Sequence, residues 1–166
     1  MTCKSPEHMV VLATDALRKS NQRGIILGGW AQLSQSVLEK STEDADLIAY
    51  AKKNILFVDK APHEWLLPKT AAAVHHGGAG TTNASMRSGV PTIITPVFTD
   101  QFDNAYLVEQ LGVGVGFSKQ FQKVSVDELA SAIQTVTGKD GSCYCDKAKE
   151  MSEILLQEGG ASAGGG

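Results

Sequence analysis

A short apolar strand that leads into a histidine pair and a glycine-rich turn is the feature that most constrains the fold of this chain. The apolar segment 71–74 is followed by the sequence HHGGAGTT at positions 75–82. Glycines let the backbone turn sharply, and the first N–H groups of a helix have no acceptor within that helix. With the positive end of the helix dipole behind them, such N–H groups bind anions. The segment therefore predicts a strand–turn–helix unit that binds a phosphate group.

Apolar strands alternate with helical segments along the rest of the chain. Strands are expected at 24–28, 55–58, 71–75, 92–94 and 113–117, and a last helix at 146–157. This alternation is typical of an α/β fold, a Rossmann-like parallel sheet with helices on both faces. The polar segment 34–53 is expected to form a surface helix or excursion.

The length of the chain is compatible with a single such domain. The chain has 166 residues and a mass of 17.6 kDa, which is enough to bury a core without disulfides or a metal. We expect one domain over 1–158, followed by a flexible glycine-rich tail at 159–166.

Three polar segments directly follow expected strands. They are 59–63, 75–76 and 96–101. Because ligands of open parallel sheets bind beyond the carboxyl ends of the strands, these segments are expected to line one crevice.

Composition excludes several other classes of protein. A net charge of −3 gives no support for nucleic-acid binding, and no apolar run approaches the ~20 residues of a membrane-spanning helix. The three cysteines, Cys3, Cys143 and Cys145, are interpreted as free thiols in a reducing compartment. Cys143 and Cys145 are too few ligands for a zinc site.

Two further motifs have structural interpretations. Asp44 and Asp46 have the spacing of an Asp-x-Asp metal motif, but no strand leads into them, so a solvated surface is expected. Gly112, Gly114 and Gly116 lack the dinucleotide-binding spacing and lie on an expected strand, which indicates close backbone packing.

The run 58–117 resembles the donor-binding half of UDP-glycosyltransferases of the GT-B fold, and most closely the sterol 3-β-glucosyltransferase branch. The motifs that carry the resemblance are Pro62-His63, Trp65-Leu66, His75 to Thr82, Gly89 to Pro91 and Asp100-Gln101. Weaker similarity covers nearly the whole chain. The resemblance implies the C-terminal half of a two-domain enzyme whose acceptor-binding half lies outside this chain.

The same resemblance implies a role for individual residues. The UDP diphosphate would be bound by His76, Gly78, Gly80, Thr81 and Thr82, and His75 would support the turn. Uridine would pack against Pro62 and His63, and the sugar hydroxyls would bind Asp100 and Gln101. No metal and no cofactor besides the substrate UDP-glucose is expected, and no catalytic residue lies in this chain, because the base belongs to the acceptor half.

Some of these roles have a structural alternative. Taken alone, His76 could be structural, although its place beside the glycines favours binding. Asp100 could be only the N-cap of its helix. Trp65 is expected in the core rather than against the base.

The implied activity is transfer of a hexose, with glucose expected, from UDP-glucose to a hydroxyl of a sterol or other lipophilic acceptor. The transfer would invert the anomeric centre and need no metal, and this chain alone would bind the donor without turnover. The expected location is the cytoplasm, with membrane association of the full-length protein left open. The alternatives are a noncatalytic nucleotide-sugar-binding module and a GT-B nucleotide-sugar epimerase.

Overall fold

A computed structural model describes the backbone of residues 5–163 and the side chains of residues 5–29 and 31–159. Cys3 therefore lies outside the described residues. The chain divides into two compact units. The first comprises the residues up to Ala61 together with Ser125–Ile133, and the second comprises Pro62–Val124 and the residues from Gln134 onward.

The first unit contains a two-stranded parallel sheet and three complete helices. Its elements are α1 (Pro6–Lys19), β1 (Gly24–Leu27), α2 (Gln35–Ser41), α3 (Ala45–Asn54) and β2 (Ile55–Val58). The strands pair in register from Gly24 opposite Ile55 to Leu27 opposite Val58. The buried cluster of this unit consists of Val10, Ile26, Leu33, Leu38, Leu47, Ala51 and Ile55.

Side-chain caps explain why the polar segment 34–53 forms two helices rather than one. The Ser34 hydroxyl accepts the N–H of Val37 at 3.2 Å, and the Asp44 carboxylate accepts the N–H of Leu47 at 3.0 Å. The hydrogen bond from Leu47 is the largest cause that lowers the pKa of Asp44, and the Arg18 guanidinium adds to it. The first aspartate of the Asp-x-Asp motif is thus a helix N-cap paired with Arg18.

The second unit contains a three-stranded parallel sheet. Its elements are α4 (His63–Leu66), β3 (Ala73–His75), α5 (Ala79–Ser88), β4 (Thr92–Ile94), α6 (Thr99–Gln110) and β5 (Gly114–Gly116), with the last residues of α7 (Val126–Thr137) and all of α8 (Ser142–Ala163). The strand order is β3-β4-β5. A buried cluster of Ile94, Ala105, Val108, Val113 and Ala148 holds α6 and α8 together with the sheet.

The glycines of β5 are required by close backbone contact. A Cβ atom at Gly114 would overlap the carbonyl oxygen of Thr92, and one at Gly116 would overlap that of Ala105. This confirms the packing interpretation for Gly114 and Gly116. Gly112 lies before β5 with φ +69° and no close backbone contact, so the prediction is wrong for that glycine.

The α/β class with parallel sheets and helices on both sides is confirmed. The strands nevertheless form two hydrogen-bonded sheets, where the sequence predicted one. Helix α8 begins at Ser142 and continues to Ala163, so it includes the first residues of the expected tail. Trp65 was expected in the core, and this is wrong, because 59% of its surface is exposed. Within residues 5–163, no helix is both long and apolar enough to cross a membrane.

Candidate anion-binding site

The turn between β3 and α5 depends on a buried glycine with a positive φ. Gly77 has φ +92°, and a Cβ atom there would lie 2.6 Å from Cγ2 of Ile94. The N–H of Thr95 donates to the carbonyl of His75 at 2.9 Å, which continues the pairing of β3 and β4 past the end of the strands. Only glycine fits this position without displacing Ile94.

The first turn of α5 has no side-chain cap. Its N-cap is Gly78, which has no side chain to accept a hydrogen bond. The N–H groups of Ala79, Gly80 and Thr81 have no acceptor among the described residues, and a Cβ atom at Gly80 would meet nothing within 4 Å. Unpaired N–H groups at the positive end of a helix are suited to bind an anion.

The imidazole of His76 lies beside this helix end. His76 is exposed, and a Cβ atom at Gly78 would lie 3.0 Å from its Nε2. Thr81 is partly exposed. The structure therefore brings His76, Gly78, Gly80 and Thr81 together, as the sequence predicted.

Thr82 does not fit its expected role as a diphosphate ligand. Its N–H donates to the carbonyl of Gly78 at 2.8 Å. Only 5% of the residue is exposed, and Oγ1 is buried with no partner among the described residues. In this arrangement neither donor of Thr82 can reach a ligand.

His75 supports the turn through one ring nitrogen. Its Nδ1 accepts the N–H of Gly77 at 3.1 Å, so its proton is on Nε2, which is buried with no partner among the described residues. Burial, and then the charges of His76 and His63, lower the pKa of His75 to about 4. The imidazole is thus neutral at physiological pH.

The residues expected near uridine adjoin the histidine pair. His63 begins α4 and is half-buried, and Pro62 before it is exposed. The helix that His63 begins, α4, packs against α5 within the second unit.

The start of α6 separates the roles of Asp100 and Gln101. The side-chain oxygen Oε1 of Gln101 accepts the N–H groups of Val97 at 2.8 Å and Phe98 at 3.0 Å, and the residue is 8% exposed. The N-cap of α6 is Phe98, and the Gln101 side chain reaches back to its N–H. Asp100 is not the N-cap, so the expected alternative for Asp100 is wrong. Asp100 is exposed and has no hydrogen-bond partner among the described residues.

Asn104 belongs to the site but was not identified from the sequence. Its Nδ2 donates to the carbonyl oxygen of Gly77 at 2.7 Å. It lies three residues after Gln101 on α6, and this spacing places it on the buried face of the helix with Ala105. That spacing is the signal that could have identified it.

A groove of about 620 Å³ lies at the opposite end of the strands. Its walls include Thr70, Gly89, Pro91, Val136 and Lys149. The first residue of α8, Ser142, also lines this groove, which contains none of the residues predicted to bind the donor.

Comparison with known families identifies the chain. Residues 26–159 match the family model described as "Erythromycin biosynthesis protein CIII-like, C-terminal domain". The chain belongs to this family.

The chain is also similar to fungal sterol 3-beta-glucosyltransferases. The protein from Debaryomyces hansenii is 38% identical over 146 residues, which cover 88% of this chain and 9% of the relative. The protein from Saccharomyces cerevisiae is 39% identical over 154 residues, covering 93% of this chain and 12% of the relative. The chain thus spans only about a tenth of the length of these relatives.

Solved glycosyltransferases share the fold. The glycotransferase of kitacinnamycin superposes with a TM-score of 0.71 at 20% identity, over 96% of this chain and 37% of that one. A UDP-glucose: anthocyanidin 3-O-glucosyltransferase in complex with UDP gives 0.74 at 21% identity, over 95% and 34%. The resemblance to the GT-B donor-binding half is confirmed.

Proposed function

We propose that this chain is the UDP-sugar-binding domain of a glycosyltransferase. The whole protein would transfer a hexose, glucose in the first instance, from UDP-glucose to a hydroxyl of a sterol or another lipophilic acceptor. Family membership and the names of the relatives support this proposal. The observation that carries it is the uncapped N-terminus of α5 with the His76 imidazole beside it.

The diphosphate binds at the first turn of α5. The N–H groups of Ala79, Gly80 and Thr81 and the exposed ring of His76 provide donors on one side of the anion. Hydrogen bonds to an ionised acceptor are about twice as strong as those between neutral groups. Thr82 takes no part, because its N–H donates to the carbonyl of Gly78 and its hydroxyl is buried.

The sugar and the nucleoside extend from the diphosphate to neighbouring loops. The exposed carboxylate of Asp100 accepts hydrogen bonds from sugar hydroxyls. Gln101 offers only its Nε2 amide group, because its side-chain oxygen Oε1 already accepts two backbone N–H groups. Pro62 and His63 pack against uridine. These loops all belong to the second unit.

In the whole protein, the acceptor hydroxyl attacks the anomeric carbon in a single displacement that inverts it. A base outside this chain takes the hydroxyl proton, and the bond to the departing UDP oxygen breaks. Fixed donors at that phosphate stabilise the developing charge more than the ground state. Removal of one such donor typically costs on the order of 10²–10³ in rate. The helix end and the imidazole do this without a metal ion.

The protein is assigned to the cytoplasm. Cys143 and Cys145 are free thiols, which fits a reducing compartment.

Calorimetric titration of the chain with UDP, UDP-glucose and NAD tests this proposal. We expect saturable binding of UDP and UDP-glucose, unchanged when EDTA is added, and no binding of NAD. Preference for NAD, or an affinity for UDP that EDTA abolishes, would contradict it.

A further inference from the structure

Phe98 exposes an aromatic ring at the same end of the sheet as the candidate anion site. It lies in the loop between β4 and α6, and 56% of its surface is exposed. Because β3 and β4 are parallel neighbours, the loops that follow them lie at one edge of the sheet. A phenyl ring forms no hydrogen bonds with water comparable to those of a polar group, so its exposure leaves apolar area that a ligand can bury.

Hydrogen bonds hold the Phe98 backbone beside the turn between β3 and α5. Its N–H donates to Oε1 of Gln101 at 3.0 Å, and its carbonyl oxygen accepts the N–H of Gln101 at 3.1 Å. The backbone of Gln101 lies against Gly77, where an added Cβ atom would be 3.2 Å from the Gln101 carbonyl oxygen. A single residue thus links Phe98 to the turn at which we place the diphosphate.

The residues before Phe98 are buried and bonded. Pro96 and Val97 belong to the buried residues of the second unit. The N–H of Val97 donates to Oε1 of Gln101 at 2.8 Å, and the carbonyl oxygen of Pro96 accepts the N–H of Phe121 at 2.8 Å. The exposed ring of Phe98 is therefore carried by a fixed loop, and its position is set before any ligand binds.

Position distinguishes Phe98 from Tyr106, another exposed aromatic residue of the second unit. Single exposed apolar residues are common on protein surfaces and need no ligand. Tyr106 is 67% exposed, but it lies about two helical turns along α6 from Thr99, the first residue of that helix. Phe98 is two residues before Asp100, the carboxylate proposed to bind the sugar.

We infer that Phe98 is an acceptor-specificity residue, whose ring packs against the apolar body of the lipophilic acceptor. The inference rests on the proposed function. In that reaction the acceptor hydroxyl attacks a carbon that is bonded to the diphosphate, so the body of the acceptor lies beside the donor. An apolar ring there removes water from apolar surface of the acceptor. The hydroxyls of the hexose need polar partners instead, and Asp100 provides one.

Three substitutions separate this role from effects on folding. Phe98→Ser removes the ring, and serine at an N-cap favours the start of a helix, so the variant is expected to fold. Phe98→Leu keeps an apolar side chain at the same place. Tyr106→Ala removes an exposed aromatic ring from the same helix and is the matched control.

In the whole protein, we expect Phe98→Ser to raise the KM for cholesterol, used as the acceptor, about tenfold, as for the loss of roughly half a buried phenylalanine side chain. The KM for UDP-glucose and the rate of UDP-glucose hydrolysis without acceptor should stay unchanged. Phe98→Leu and Tyr106→Ala should both keep a KM for cholesterol close to that of the wild type. Thermal unfolding shows that each variant is folded.

Calorimetry of this chain separates the acceptor from the sugar. Phe98→Ser should bind UDP and UDP-glucose as tightly as the wild type does. If it loses affinity for UDP-glucose but not for UDP, the ring binds the hexose and the inference is overturned.

Two further results have distinct consequences. An unchanged KM for cholesterol in folded Phe98→Ser overturns the inference and leaves the proposed function standing. If the wild-type whole protein transfers no glucose and this chain binds no UDP, the proposed function fails, and the acceptor role of Phe98 fails with it.

Discussion

At the scale of single residues, the site is organised by which donors are buried and which are exposed. His75 and Thr82 are turned into the protein, while His76 is exposed beside the helix end. All three belong to one run of eight polar and small residues, and nothing in that run separates the inward from the outward side chains. The sequence therefore predicted the anion-binding motif, but it did not predict which of its side chains are buried and which are exposed.

His75 makes stability depend on pH in a defined window. Its pKa is about 4 in the folded chain and about 6.5 when unfolded. Between these values the unfolded chain binds a proton that the folded chain does not. The free energy of unfolding should therefore fall by about 3 kcal/mol as pH falls from 6.5 to 4.

Urea unfolding at several pH values measures this fall, with His75→Asn as the control. The variant should lose less stability over the same window. Equal losses in both proteins would show that His75 titrates normally.

His76 and Thr82 form a matched pair for ligand binding. His76→Ala should weaken UDP binding about tenfold or more and leave uridine binding unchanged, because an exposed donor to the diphosphate is lost. Thr82→Val should leave UDP binding unchanged and raise the free energy of unfolding by about 1 kcal/mol, since a buried hydroxyl without a partner is removed. Calorimetry and thermal unfolding measure both, and a loss of UDP affinity in Thr82→Val would restore Thr82 to the site.

At the scale of elements, two glycines of one turn have different reasons to be glycine. Gly77 has a positive φ and no room for a Cβ atom, whereas Gly80 lies in α5 and faces open space. The first is required by the fold. Gly80 is required by the proposed ligand, because a side chain at this position would block access to the free N–H groups.

The substitutions Gly77→Ala and Gly80→Ala should therefore act in opposite ways on stability. Gly77→Ala should lower the free energy of unfolding by about 2–4 kcal/mol through backbone strain and the clash with Ile94. Gly80→Ala should raise it by about 0.5–1 kcal/mol through helix propensity and still weaken UDP binding. Urea unfolding and calorimetry test both, and undiminished UDP affinity in Gly80→Ala would place the ligand elsewhere.

Local sequence patterns predicted most of the helices and strands, but they did not predict which strands pair in the same sheet. A capping box between Ser125 and Glu128, a pattern local in sequence, has both hydrogen bonds formed. The division of the strands into two sheets and the exposure of Trp65 depend on contacts distant in sequence. The spacing of Asn104 on α6 could have placed it on the buried face, but not its bond to Gly77, which is 27 residues away.

At the scale of the whole molecule, the chain spans only 9–12% of the length of the fungal relatives. Under the proposed function it would supply the donor-binding part of a reaction that also needs an acceptor site. Binding of the UDP-sugar is therefore the part of the proposed activity that we expect this chain to carry out alone.

A crystal structure of the chain with UDP tests the central claim most directly. We predict diphosphate oxygens within hydrogen-bond distance of the Gly80 and Thr81 N–H groups and of the His76 imidazole. UDP bound in the groove near Lys149, with the N-terminus of α5 left unoccupied, would contradict it.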